Sequence, residues 1–353
     1  MSRAAPRRRA APAAPVAASR VSAGRDLVAA LAGSRAPIVT VVVVLVLALA
    51  CLVCAMVPVG PALLPGIGAV AVASVYSWAL AARTGGRPVL FGSLALALGV
   101  GVLVLDQEWL RAGAAVMTCV VSSVLAVMVT VPARRFRQAA RECTVAVLVA
   151  ALGALATVGF EPVITLARFE YVTLVLALVG AFVLVYRLGA GLHGLGRRGL
   201  ATVLAGGALL AVTLAYAELL RRYGPGGVVT NLLDGVRWSR DHLGAFPRPI
   251  ETVLGVPALA WGTHMRARRR QGWWVCAFGV AATAPVANSL MNPAISLLEV
   301  GLSVGYGLVI GLAIGFVVIR LDLALTGQRG SRARRLEEES AVRPEPARHR
   351  PLL

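Results

Sequence analysis

Residues 38–57 read IVTVVVVLVLALACLVCAMV, an uncharged run of 20 residues. A bilayer core of about 30 Å is crossed by about 20 apolar residues of helix, so this stretch alone is long enough to span one. Working outward, comparable runs recur at about 64–82, 88–105, 112–131, 143–160, 169–187, 199–220, 250–265, 272–291 and 294–320, which predicts ten crossings. The expected fold is all-α, a polytopic transmembrane helix bundle. Composition agrees: the 353 residues are 58% hydrophobic and 14% charged, with a mean hydropathy of +0.79. A soluble domain carries roughly a quarter charged residues. The run at 250–265 is the weakest, being short, interrupted by Pro257 and opened by Glu251. The last run is longer than a bilayer needs and must tilt, bend or project.

All basic residues are arginine, 35 against 16 acids, for a formal charge of +19. An excess of this size would suit a nucleic-acid partner only if it formed a soluble basic face, and no such face is legible, so none is expected. With the N-terminus inside, 28 arginines fall in cytoplasmic segments and 7 outside: Arg111, Arg168, Arg221, Arg222, Arg237, Arg240 and Arg248. Cytoplasmic loops retain positive charge, so both termini are expected in the cytoplasm and the chain in the plasma membrane. Trp109, Tyr171, Tyr223 and Trp238 fall at expected outer edges, and Tyr76, Trp78, Tyr186, Trp273 and Trp274 near inner ones. Such rings settle at headgroup level. Residues 1–35 and 328–353 have no sustained apolar period and read as disordered cytoplasmic tails around a membrane domain at 36–327. Arginines held near anionic phospholipid at the cytoplasmic face gain about 1 kcal/mol each.

Motif chemistry is sparse. Cys51 and Cys54 form a C-x-x-C inside an apolar run, with no nearby cation to lower a thiol pKa. His193, His242, His264 and His349 lack metal-ligand spacing, so neither a metal nor a cofactor is expected. Asn292-Pro293-Ala294 spells the aquaporin filter motif, but no second copy exists and the usual following arginine is missing. No P-loop, G-x-S-x-G or H-E-x-x-H appears, which leaves the common motif-bearing enzyme classes without support.

Ionisable residues deep in a span are costly and mark ion or substrate pathways. Nearly every charge here falls at the end of an expected span, and Glu299 is the one candidate for burial, about 9 Å past Pro293 at helical rise. Two readings of it are open, a carboxylate beside a cavity lined by Asn288, Ser289 and Asn292 or an outer-edge residue hydrogen-bonded to a neighbouring helix; on the first, Glu299→Gln is expected to impair function without lowering abundance. In the same span Gly301 and Gly305 form one small-residue stripe and Gly307, Gly311 and Gly315 another. Two stripes predict a central helix with close neighbours on two sides.

The segment 221–250 holds five of the seven outer arginines, against the topological trend. Val228, Val229, Leu232, Leu233, Val236 and Leu243 recur at helical spacing, which predicts an amphipathic helix in the outer interface anchored by Trp238. Asp234, Arg237, Arg240 and Asp241 would form its polar face, and pairing among them is the simplest outcome. Guanidinium groups of Arg221, Arg222, Arg237 and Arg240 also match an anionic lipid phosphate. The expected function is a multipass plasma-membrane protein that binds or translocates an amphiphilic, lipid-like or small solute. The alternatives are a non-catalytic partner in a cell-envelope complex and, third, a lipid-modifying enzyme.

Overall fold

The computed structural model describes residues 36–56, 60–188, 192–223, 226–268, 272–327, 345–348 and 350–352. Every regular element among them is helical: α1 (Ala36–Met56), α2 (Leu64–Arg83), α3 (Pro88–Leu105), α4 (Glu108–Met128), α5 (Phe136–Gly159), α6 (Leu166–Arg187), α7 (Leu192–Tyr223) and α8 (Gly226–Leu243). A π-helical turn, Ile250–Gly255, then runs directly into α9 (Val256–Arg266), followed by α10 (Gly272–Ala277), α11 (Val280–Leu290) and α12 (Leu297–Gly327). Seven of the described segments are long and apolar enough to cross a membrane: α2 to α6, Gly272–Leu290 and Leu297–Leu325. Shorter apolar helix covers Ile38–Cys54 and Val203–Thr213. The expected tail at 1–35 lies outside the described residues.

The chain divides into two units, Met1–Val46 and Leu47–Leu353. Of the first, residues 36–46 are described, and they are helical. Within the second, burial and apolarity are opposed at the extremes. Helix α3 is among the most apolar of the seven segments, yet only 11% of it is buried. Gly272–Leu290 is the least apolar and 94% buried. The segment 250–266, weakest by sequence, is likewise almost wholly covered. Lipid demands apolar side chains, whereas a helix wrapped by protein is free to carry small and polar ones. Low apolarity in these two segments therefore marks the interior.

Local chemistry places the breaks. Pro88 sits at the start of α3, where a missing N–H costs nothing, and Asp106 ends that helix in the left-handed region at φ 50°. Gln138 Oε1 accepts from the N–H groups of Arg134 (2.9 Å) and Arg135 (3.2 Å), capping α5. Val256 donates its N–H to Glu251 O, five residues back, and the next residue, Pro257, has no N–H to restore α register. The chain crosses back through α10 and α11, which are separated by a tight turn: Gly279 N–H reaches Cys276 O at 2.8 Å and Ala282 N–H reaches Gly279 O at 2.9 Å. The two irregular segments face each other, since a Cβ on Gly255 would lie 2.2 Å from Ala282 N.

Three expectations are corrected here. Helix α12 is peripheral, with 17% of Leu297–Leu325 buried. Only its Gly307, Gly311 and Gly315 stripe is packed, against Glu251, Val256 and Ala260, while a Cβ on Gly301 or Gly305 meets nothing within 4 Å. Tyr76 is a core residue, 4% exposed, its hydroxyl donating to Val149 O at 3.0 Å, and Trp273 and Trp274 are buried too. Finally, residues 345–348 and 350–352, read by composition as part of a disordered tail, contact Arg83 and Arg266 at helix ends and Glu142 in the second turn of α5. Specific ion pairs there outweigh the lack of an apolar period.

Candidate functional site

The π turn opens with Ile250 and Glu251. A π turn carries one extra residue per turn, which rotates the following side chains relative to an α-helix. Glu251 is fully buried, at 0% exposure, with its carboxylate against the backbone of α12: a Cβ on Gly307 would come within 2.9 Å of Glu251 Oε1. Only glycine leaves room for the acid at that point. Neither oxygen of Glu251 accepts a hydrogen bond from a described residue. A buried acceptor left so costs about 1–3 kcal/mol, and more when charged. Glu251 is thus a stored cost in the interior, the one buried side chain among the described residues with two unfilled oxygens.

Within electrostatic reach of Glu251 is Arg248, which stands in a polar chain that continues through α6 to α11. Arg248, in the extended stretch just before the π turn, is 3.7 Å from Glu170 Oε1 at the start of α6. Asn288, near the end of α11, donates Nδ2–H to Glu170 Oε2 at 2.9 Å. Burial pushes the Arg248 guanidinium below its ordinary value, and the carboxylates of Glu170 and Glu251 oppose that shift. The Oδ1 of Asn288 is buried and, like both oxygens of Glu251, accepts nothing from the described residues. Both carboxylates act on the Arg248 guanidinium, Glu170 as its ion-pair partner and Glu251 at longer range, and the unfilled positions on Glu251 and Asn288 are acceptors. The arrangement is complementary to a proton or to a cationic, hydrogen-bond-donating group.

The residues singled out by sequence are distributed differently. Glu299 is not buried alone: Arg240 Nε stands 2.9 Å from its Oε1, and the side chain is 21% exposed. Ser289 donates to Pro285 O at 3.1 Å, and Asn292 Oδ1 accepts from Ala294 N at 3.0 Å. Pairing with Arg240 of α8 fits the outer-edge reading of Glu299, and of the residues expected around it Asn288 reaches a different carboxylate, Glu170. The amphipathic helix exists as α8, where Asp234 and Arg237 pair at 3.0 Å and Asp241 is exposed. Trp238 stacks on His242 with ring centroids 4.9 Å apart. The side chains of Arg221, Arg222, Val228, Val229 and Leu232 lie outside the described residues. Exposed pairs of the Arg240–Glu299 kind contribute about 0.2–1 kcal/mol. Glu299→Gln should accordingly lower the unfolding free energy by no more than that, with solute retention unchanged; a lost solute would restore Glu299 to the site.

The signal for Glu251 was present but divided. Glu251 and Pro257 were each visible as defects of a weak span, and only the π turn joins them into a buried acid with a register break behind it. Among the described residues no three of His, Cys, Asp or Glu converge to hold a metal ion. No protein-family model matches this chain, and no curated protein or solved structure is similar to it.

Proposed function

We propose that the chain is a ten-crossing protein of the plasma membrane, both ends cytoplasmic, which binds and carries a small or amphiphilic solute bearing a cationic or hydrogen-bond-donating head. The seven long apolar helices and the 28-to-7 partition of arginines support the membrane part of this reading. The observation that carries the solute part is Glu251, fully buried with both oxygens unfilled. An intramembrane acid is retained against its cost when a substrate, ion or proton uses it. Its place beside two interrupted segments supports movement as well as binding: the π turn that carries it lies close to α11 just after the break from α10, and interrupted helices lining a binding site are a recurrent transporter arrangement. In this reading α8 lies along the outer interface and Arg248, Glu170 and Asn288 line the approach.

Native mass spectrometry of the protein released from its own membranes tests the proposal. The wild-type chain should retain a bound small molecule or lipid, and Glu251→Gln should lose it at equal protein yield. Equal occupancy in both proteins would reject Glu251 as the site. A co-purifying polypeptide in place of a solute would favour the envelope-partner alternative.

A further inference from the structure

The second buried charge cluster lies at the opposite ends of the helices and is independent of Glu251. Arg83, the last residue of α2, and Arg266, the last of α9, are 3% and 6% exposed. They grip the same stretch of chain. Arg83 Nε donates to Met128 O at 3.0 Å, while Arg266 Nη1 and Nη2 donate to Thr130 Oγ1 at 2.7 Å and Thr130 O at 3.1 Å. Arg266 also lies flat over Trp273, 3.4 Å from the ring centroid. This ring is a platform that fixes the guanidinium plane.

What satisfies the remaining donors is the end of the chain itself. Glu345 offers its carboxylate to Arg266, with Oε1 3.3 Å from Nε and Oε2 paired with Nη2. Arg83 Nη1 donates to the carbonyls of Ala347 at 2.9 Å and Arg350 at 2.6 Å, and its own carbonyl accepts from Leu352 N. Arg348 clamps Glu142 through both oxygens, at 2.9 and 2.8 Å. The Nη2 of Arg83 is still buried without a partner among the described residues. Removing 345–352 would take away the one carboxylate that faces the two arginines among the described residues. Glu142 does not replace it, being held already by Val131 N at 3.0 Å and by Arg141.

We infer that Arg83 and Arg266 form an anion-binding site for a phosphate group, and that Glu345 with the carbonyls of Ala347 and Arg350 fills it as an internal competitor. Two guanidinium groups held in fixed planes match the several acceptor oxygens of a phosphate better than they match one carboxylate and two neutral carbonyls. The phosphate belongs either to a free anion or to a lipid headgroup, and both present the same oxygens. A site held closed nine-tenths of the time loses about tenfold in apparent affinity, which sets the size of the competition.

The test compares the full chain with a variant ending at residue 344 and with Glu345→Gln, which keeps the backbone contacts. Binding of radiolabelled inorganic phosphate is measured by equilibrium dialysis in neutral detergent. Retained lipid is measured after reconstitution in nanodiscs of equal parts phosphatidylcholine and phosphatidylglycerol. The shortened chain should bind phosphate, or retain phosphatidylglycerol selectively, at least about tenfold more tightly than the full chain. Glu345→Gln should lie between them, and adding Arg266→Gln should abolish the gain. The dialysis arm responding identifies the free anion, and the nanodisc arm alone identifies the headgroup. Equal affinities across the three proteins in both arms overturn the site. Should the shortened chain fail to fold, Glu345→Gln decides the outcome in the same way.

Discussion

Gly255→Val should leave almost no folded protein. A Cβ at this position would lie 2.2 Å from Ala282 N, 2.5 Å from Ala281 C and 2.7 Å from Ala282 Cα. All three are backbone atoms, so no side chain can rotate to make room. Overpacking of a well-filled interior costs about 1–3 kcal/mol where neighbours can shift, and the cost here should reach about 3 kcal/mol or more. The clash also falls where the π turn meets the break between α10 and α11, the level at which both segments have least helical hydrogen bonding to hold them. Gly101→Ala in α3 is the matched control, since its Cβ meets nothing within 4 Å. Replacing that glycine should stabilise by about 0.5–1 kcal/mol through helix propensity alone. Size-exclusion profiles in detergent after graded heating measure both, and a wild-type profile for Gly255→Val would refute the close approach.

Glu251→Met should move stability the other way. Methionine is close to glutamate in length, is apolar and adapts to irregular space, so it removes two unfilled buried acceptors without opening a cavity. A gain of about 1–3 kcal/mol is expected in thermal melts of the purified protein. The same variant should lose its bound solute, because the acid that costs stability is the acid that binds. Such opposition is the usual signature of a working site. A destabilised variant would show that the carboxylate is part of the structural framework, and the solute proposal would fall with it. Reading the sign needs both measurements on one preparation.

How much of this was legible in the sequence follows from what each signal depends on. The apolar runs are local, and their length against the bilayer is arithmetic, so the helical character and α2 to α6 emerge close to their expected bounds. The glycine steps of four predicted close packing for α12, and Gly307, Gly311 and Gly315 deliver it, but which of two stripes faces protein depends on where α9 lies. Glu299 and Glu251 show the same limit. Both sit near the start of a predicted span, and distance along the helix favoured Glu299. The structure pairs Glu299 with Arg240 on α8, a partner 59 positions earlier in the chain, and buries Glu251 with no hydrogen-bond donor among the described residues. Pairing across such separations leaves no trace in local spacing.

Sequence alone determined the solvent of this protein. Its uncharged runs and low charge content are what a bilayer demands, and that demand acts on each segment separately. Tertiary structure alone decided which segments are hidden from that bilayer. Helices touching lipid must be apolar, but helices covered by other helices need not be, so the least apolar segments, 250–266 and Gly272–Leu290, became the interior. Both buried charge clusters sit on those segments: Glu251 and Asn288 toward one end, Arg266 toward the other. A polar residue in a weak span looks like a flaw until its neighbours are known. Burial by protein, a property of the whole chain, turns it into a candidate site.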